Sequence, residues 1–167
     1  TYCYNEIPIK PTGDSNGSGG LVGSSPTLNS GTLIIKYCYN SGDILSNNCG
    51  GLIGHNQSNG TVTIFNCYNT GNGNINDTYE DDQGDFVNYA FQGGLVGKNA
   101  GDNSGTCNIY NCWSIGSNLT DGFIGSANAN GTVNVINCYN ISDTTPIGVG
   151  ISDDSNTYQT DSWDDTY

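Results

Sequence analysis

The chain has 167 residues, of which glycine supplies 25 and asparagine another 25, while charged residues make up only 11%. Sixteen acids stand against three lysines (Lys10, Lys36, Lys98) and no arginine, giving a net charge of −13. So few cations exclude nucleic-acid binding by phosphate neutralisation and argue against docking on anionic lipid. No apolar run is long enough to insert in a membrane as a helix. The chain begins at Thr1 and contains no methionine. This reads as a mature, exported chain, though a piece of a longer protein would start the same way.

In chain order, one unit recurs: a Gly-Gly-Leu-Val-Gly start, a polar turn, a Gly-Thr-hydrophobic strand, then Asn-Cys-Tyr-Asn. Residues 1–5 hold only its second half, Tyr2-Cys3-Tyr4-Asn5. Full units follow at about 19–42, 50–71, 93–116 and 121–142, with an insertion over 72–90. From Leu21, Leu52, Leu95 and Phe123 to the following cysteine the spacing is 17, 15, 17 and 15 residues. A degenerate terminal unit covers 146–167, where the count places Ser162-Trp163 in the position of Cys112-Trp113. Degenerate end units are common in stacked repeats.

Read down the units, Leu33, Val62, Cys107 and Val133 form one column, and Ile35, Ile64, Ile109 and Val135 a second, two residues on. Their alternation with polar positions is the period-two pattern of a half-buried strand. No period of 3.6 appears, so helix is excluded. Such units cannot bury their apolar residues singly, but stacking gathers these into continuous columns. The expected fold is therefore all-β, a parallel β-solenoid of about four full coils plus partial terminal coils, forming a single domain over 1–167. Stacked amides bond along such a ladder and stacked rings pack offset, whereas stacked like charges repel. The near absence of charge from the repeated strands fits this.

The Gly-Gly-Leu-Val-Gly, Gly-Thr-Val and Asn-Cys-Tyr-Asn-x-Gly motifs, over about residues 19–150, resemble those of the GLUG-motif family of surface adhesins and secreted proteins. The resemblance implies a right-handed β-helix-like fold and an extracellular, adhesive or structural setting. It brings no catalytic residues. The insertion and the degenerate last unit depart from the pattern.

Cys3, Cys38, Cys67, Cys112 and Cys138 share one column; Cys49 and Cys107 lie off it. Two readings stand: a ladder of buried thiols, or disulfides formed in an oxidising compartment between coils close enough to bridge. Seven is odd, so complete pairing would need another subunit. Cys107 stands in an aliphatic column and is expected buried and unpaired. His55, the one histidine, reads as a surface turn residue. Neither a catalytic dyad nor a pair of carboxylates on one coil face is visible, and the chain is read as no enzyme.

Asp77, Glu80, Asp81, Asp82 and Asp85 crowd the insertion. They suit either a solvated loop or a calcium site, though the EF-hand spacing is missing; no other metal or cofactor is suggested. Acceptor triplets for covalent N-linked glycans stand at Asn16, Asn56, Asn59, Asn76, Asn118 and Asn130, and at Asn140, where an amide ladder is the preferred reading. Tyr2, Cys3, Tyr4 and Trp163 mark the two ends of the ladder. With neither end closed by a cap helix, subunits are expected to stack end to end as a homopolymer, forming a surface filament, fibre or sheath. The alternatives are a monomeric adhesin binding carbohydrate or a host surface, and an ice-binding solenoid.

Overall fold

A computed structural model describes residues 2–10, 17–25, 31–46, 48–56, 59–73, 79–80, 86–87, 91–99, 105–117, 122–127, 132–140 and 156–159. The sequence of strands follows the repeat. After β1 (Tyr4–Asn5) come β2 (Ser18–Gly19), β3 (Val22–Ser25), β4 (Thr32–Lys36) and β5 (Tyr39–Asn40). The next unit gives β6 (Asn48–Gly50), β7 (Ile53–Asn56), β8 (Thr61–Phe65) and β9 (Tyr68–Asn69). Within the insertion lie β10 (Tyr79–Glu80) and β11 (Phe86–Val87). Then follow β12 (Phe91–Gly93), β13 (Val96–Asn99), β14 (Thr106–Tyr110) and β15 (Trp113–Ser114), and finally β16 (Ile124–Ala127), β17 (Thr132–Asn140) and β18 (Asn156–Gln159). There is no helix among the described residues.

Equivalent strands of successive units pair in parallel. The orders β4-β8-β14-β17, β3-β7-β13-β16 and β2-β6-β12 each run through the chain unit by unit. The shorter β1, β5, β9 and β15 stack onto the second half of β17. The register is residue for residue: Leu33 meets Val62, Val62 meets Cys107, and Cys107 meets Val133, with Ile35, Ile64, Ile109 and Val135 aligned beside them. On these strands the burial alternates, so one side chain in two enters the core. Leu52, Leu95 and Phe123, in the bends before β7, β13 and β16, and Ile53, Val96 and Ile124, which begin those strands, complete that core. The architecture is all-β, built of mostly parallel strands in curled sheets, and is consistent with a β-solenoid.

The turns between β2 and β3 and between β6 and β7 depend on glycine. A Cβ on Gly51 would overlap the Gly94 carbonyl and the Asn69 side chain, and the same clash recurs one unit earlier between Gly20 and Asn40. This close approach explains the repeated Gly-Gly pair.

The insertion 72–90 contains an antiparallel pair, with Tyr79 opposite Val87 and Glu80 opposite Phe86. Two expectations need correction. The last rung is β18: Thr157 takes the register of Cys138 and Tyr158 that of Tyr139. Counting forward from Ile147 therefore assigned Ser162-Trp163 to a place that Thr157-Tyr158 fills; Trp163 itself lies outside the described residues. His55 is on β7 and only 8% exposed, because the chain at Gly17 crosses directly above its Cβ.

Candidate functional site

Each unit bends where Asn-Cys follows the long strand. Tyr37, Asn66, Asn111 and Asn137 all have positive φ, between 51° and 56°, in the left-handed region that asparagine tolerates better than most residues. The bend reverses the direction of the backbone hydrogen bonds. Asn66 N–H donates to the Tyr110 carbonyl of the following unit (3.1 Å), while Tyr68 N–H donates to the Cys38 carbonyl of the preceding one (3.1 Å).

Between those two, the N–H of Cys67 donates to Sγ of Cys112 at 3.4 Å. The same contact joins Cys3 to Cys38 (3.3 Å), Cys38 to Cys67 (3.4 Å) and Cys112 to Cys138 (3.4 Å). The thiols of Cys38, Cys67, Cys112 and Cys138 in turn donate to the carbonyl two residues before them, as Cys67 does to Phe65 at 3.2 Å. The cysteine column thus supplies acceptors for buried amides at the bend, which would otherwise cost their desolvation. All seven cysteines are free thiols, and of them only Cys3 is exposed. The disulfide alternative is not realised. Burial pushes the Cys112 thiol well above the ordinary range and that of Cys107 up to about 12, so neither is a nucleophile near neutral pH.

Beside the thiols run two further ladders. Nδ2 of Asn5 donates to Oδ1 of Asn40 (2.8 Å), and Nδ2 of Asn40 to Oδ1 of Asn69 (2.8 Å). Each second amide hydrogen goes to a nearby turn carbonyl, from Asn40 to Gly42 and from Asn69 to Gly71. Ser114 interrupts this column and turns to the Gly94 carbonyl (3.1 Å). On the outer surface, Tyr4, Tyr39, Tyr68 and Trp113 stack face to face, with ring centroids 5.3, 4.9 and 4.5 Å apart. The Tyr39 hydroxyl donates to Oε1 of Glu6 at 2.7 Å, and that bond raises its pKa to about 12.

Among the described residues β2, β3 and β4 each pair on one side only. The core columns, sealed at Leu52, Ile53 and Val62, end here in partly exposed Leu21, Val22 and Leu33. Tyr2 is 81% and Tyr4 66% exposed, and Ile7 and Ile34 are exposed nearby. Tyr2 stacks on Tyr37 at 5.4 Å.

Among the described residues, the remaining candidates are not brought together into a site. Asn56, proposed for glycosylation, is 0% exposed on β7, which leaves no room for a sugar on the folded chain. Asn59 is half-buried. Asn16, Asn76, Asn118 and Asn130 lie outside the described residues, as do Asp77, Asp81, Asp82 and Asp85; Glu80 lies on β10. Among the described residues no group of three or more His, Cys, Asp or Glu could hold a metal ion. Asp43 acts structurally, its Oδ1 accepting from both the backbone N–H (3.0 Å) and the side-chain amide (2.9 Å) of Asn72. The thiol acceptors were missed by sequence reasoning. The one available signal was the cysteine column itself, preceded by Asn in three units (Asn66, Asn111, Asn137) and by Tyr37 in the first, where Asn tolerates positive φ and Cys is small and polarisable.

Comparison with protein families, with characterised proteins and with solved structures finds no match for this chain.

Proposed function

We propose that the chain is a non-enzymatic, extracellular structural subunit that self-assembles end to end into a surface filament, fibre or sheath. In this reading it is a right-handed β-solenoid of GLUG-type repeats, with four full coils and partial terminal ones. The observation that carries the proposal is the N-terminal end. Open edges of β2, β3 and β4 coincide there with partly exposed core residues and the free face of Tyr4. Unpaired edge strands recruit further strands, and burying apolar surface gives about 25 cal/mol per Å² toward association. The amides, hydroxyls, rings and aliphatic groups on the repeated strands suit such stacking.

The direct experiment is a concentration series followed by light scattering and negative-stain imaging. Long, unbranched particles that grow with concentration support the proposal, whereas a monomer at every concentration sinks it.

The exposed aromatic column favours a second reading, a cell-surface adhesin that grips carbohydrate. Against it, Tyr39 and Tyr68 spend both ring faces on their neighbours, leaving edges for a sugar. Saturable binding on a glycan array by the monomer would move the balance to that reading. An ice-binding face is served less well. Thr32, Thr61, Thr106 and Thr132 align, but the next outward column reads Ile34, Thr63, Asn108 and Asn134.

A further inference from the structure

We propose that the outer aromatic column is a one-electron relay: an electron lost from Trp113 to an oxidant in solution is replaced from Tyr39 through the ring of Tyr68, and the phenolic proton of Tyr39 passes to Glu6. The site takes strong one-electron oxidants of the radical class, such as carbonate radical. The inference concerns a single chain and does not depend on assembly.

Strand register puts the rings in line. Tyr39, Tyr68 and Trp113 each directly follow a cysteine of the thiol column. β5, β9 and β15 pair in parallel, with Tyr39 opposite Tyr68 and Tyr68 opposite Trp113. The planes of Tyr39 and Tyr68 lie 1° apart with centroids at 4.9 Å, and those of Tyr68 and Trp113 lie 2° apart at 4.5 Å. Stacked faces this close bring their π clouds into contact, so an electron crosses from ring to ring without passing through saturated bonds. All three rings are half-buried: their neighbours hold them in place, and the column still meets solvent.

The hydroxyls decide where the oxidising equivalent comes to rest. A phenol that loses an electron must shed its proton with it, because the phenol radical cation is a very strong acid. An indole need not, so Trp113 gives up an electron alone. Among the described residues, and of Tyr4, Tyr39 and Tyr68, Tyr39 alone has a carboxylate to receive that proton. Its hydroxyl donates to Oε1 of Glu6 at 2.7 Å, a short, charge-assisted bond. The steps balance. The oxidant gains one electron and the Trp113 indole becomes a radical cation. Tyr39 then supplies one electron through Tyr68 while its proton moves to Oε1 of Glu6. This restores the indole and leaves a neutral tyrosyl radical beside a neutral carboxylic acid. A thiol in solution returns an electron and a proton to the phenolic oxygen, becoming a thiyl radical, and Glu6 releases its proton to water.

The test uses the full chain carrying Trp163→Phe, which leaves Trp113 as the one tryptophan, and flash photolysis with a photogenerated ruthenium(III) polypyridyl complex as the oxidant. The broad tryptophanyl absorption should decay as the narrow tyrosyl band rises, at one shared rate. Glu6→Gln keeps an oxygen that accepts the hydroxyl but cannot take its proton, and should slow that transfer about a hundredfold or more. Tyr39→Phe should leave the tryptophanyl signal to persist. Tyr68→Leu removes the middle ring and should slow the transfer with the Tyr39–Glu6 pair still in place. Circular dichroism checks that each variant keeps its strands. A tyrosyl band rising at the unaltered rate in Tyr39→Phe would put the radical on another tyrosine and overturn the assignment. An unchanged rate in Glu6→Gln would overturn the proton's path, and one in Tyr68→Leu the electron's. A chain that proves monomeric at every concentration sinks the filament reading and leaves these rates as they are.

Discussion

At each bend a single residue with positive φ turns the strand, and a thiol from the neighbouring unit takes the amide that the turn leaves behind. Replacing Cys67 by serine keeps an acceptor for the Cys38 amide, whereas Cys67→Ala leaves that buried N–H unpaired. Cys67→Ala is therefore expected to be less stable than Cys67→Ser by about 1 kcal/mol in urea melts. If the column only fills space, the order reverses, because serine then buries an idle hydroxyl. Asn111 has φ 51°, so Asn111→Gly should be close to neutral and Asn111→Val should cost about 1–2 kcal/mol. The Asn-Cys dipeptide made this bend visible as a column in the sequence. Its handedness and the role of sulfur were not legible, since both depend on where hydrogen bonds change direction between units. Cys107 is a separate case, buried in a column with Val62 and Val133. Its folded pKa is raised from 9.0 to about 12 by burial, so the thiol form is favoured and its stabilisation is complete below pH 9. Between pH 9 and 12 that contribution is lost, by at most about 4 kcal/mol. Cys107→Val should flatten the alkaline fall in melting temperature with little change at pH 7.

Among the elements, the long strands β4, β8, β14 and β17 owe their register to what they bury, since a slip by one residue would turn Ile35, Ile64, Ile109 and Val135 outward. Ile64 is fully buried in the middle of the stack, and Ile64→Ala is expected to cost about 2–5 kcal/mol by denaturant unfolding. These strands were legible because their aliphatic residues repeat at fixed distances from cysteine. The last rung was not, because it has no cysteine to align and the pairing of β17 with β18 shifts register between Ile136 and Cys138. Asn56 shows a similar limit. An acceptor triplet is a local property, but its burial on β7 is set by units on either side, so peptide mapping of the folded chain should find Asn56 without sugar.

For the whole molecule, the central claim is that successive units stack in parallel with like residues in line. The net charge of −13 makes unspecific clumping unfavourable. The most direct test is a density map of the isolated chain at side-chain resolution. The account predicts Ile35, Ile64, Ile109 and Val135 in a single line with about 4.8 Å between rungs, and the sulfurs of Cys38, Cys67, Cys112 and Cys138 in a second line beside it. Antiparallel strands, or those four aliphatic side chains on different faces, would contradict it.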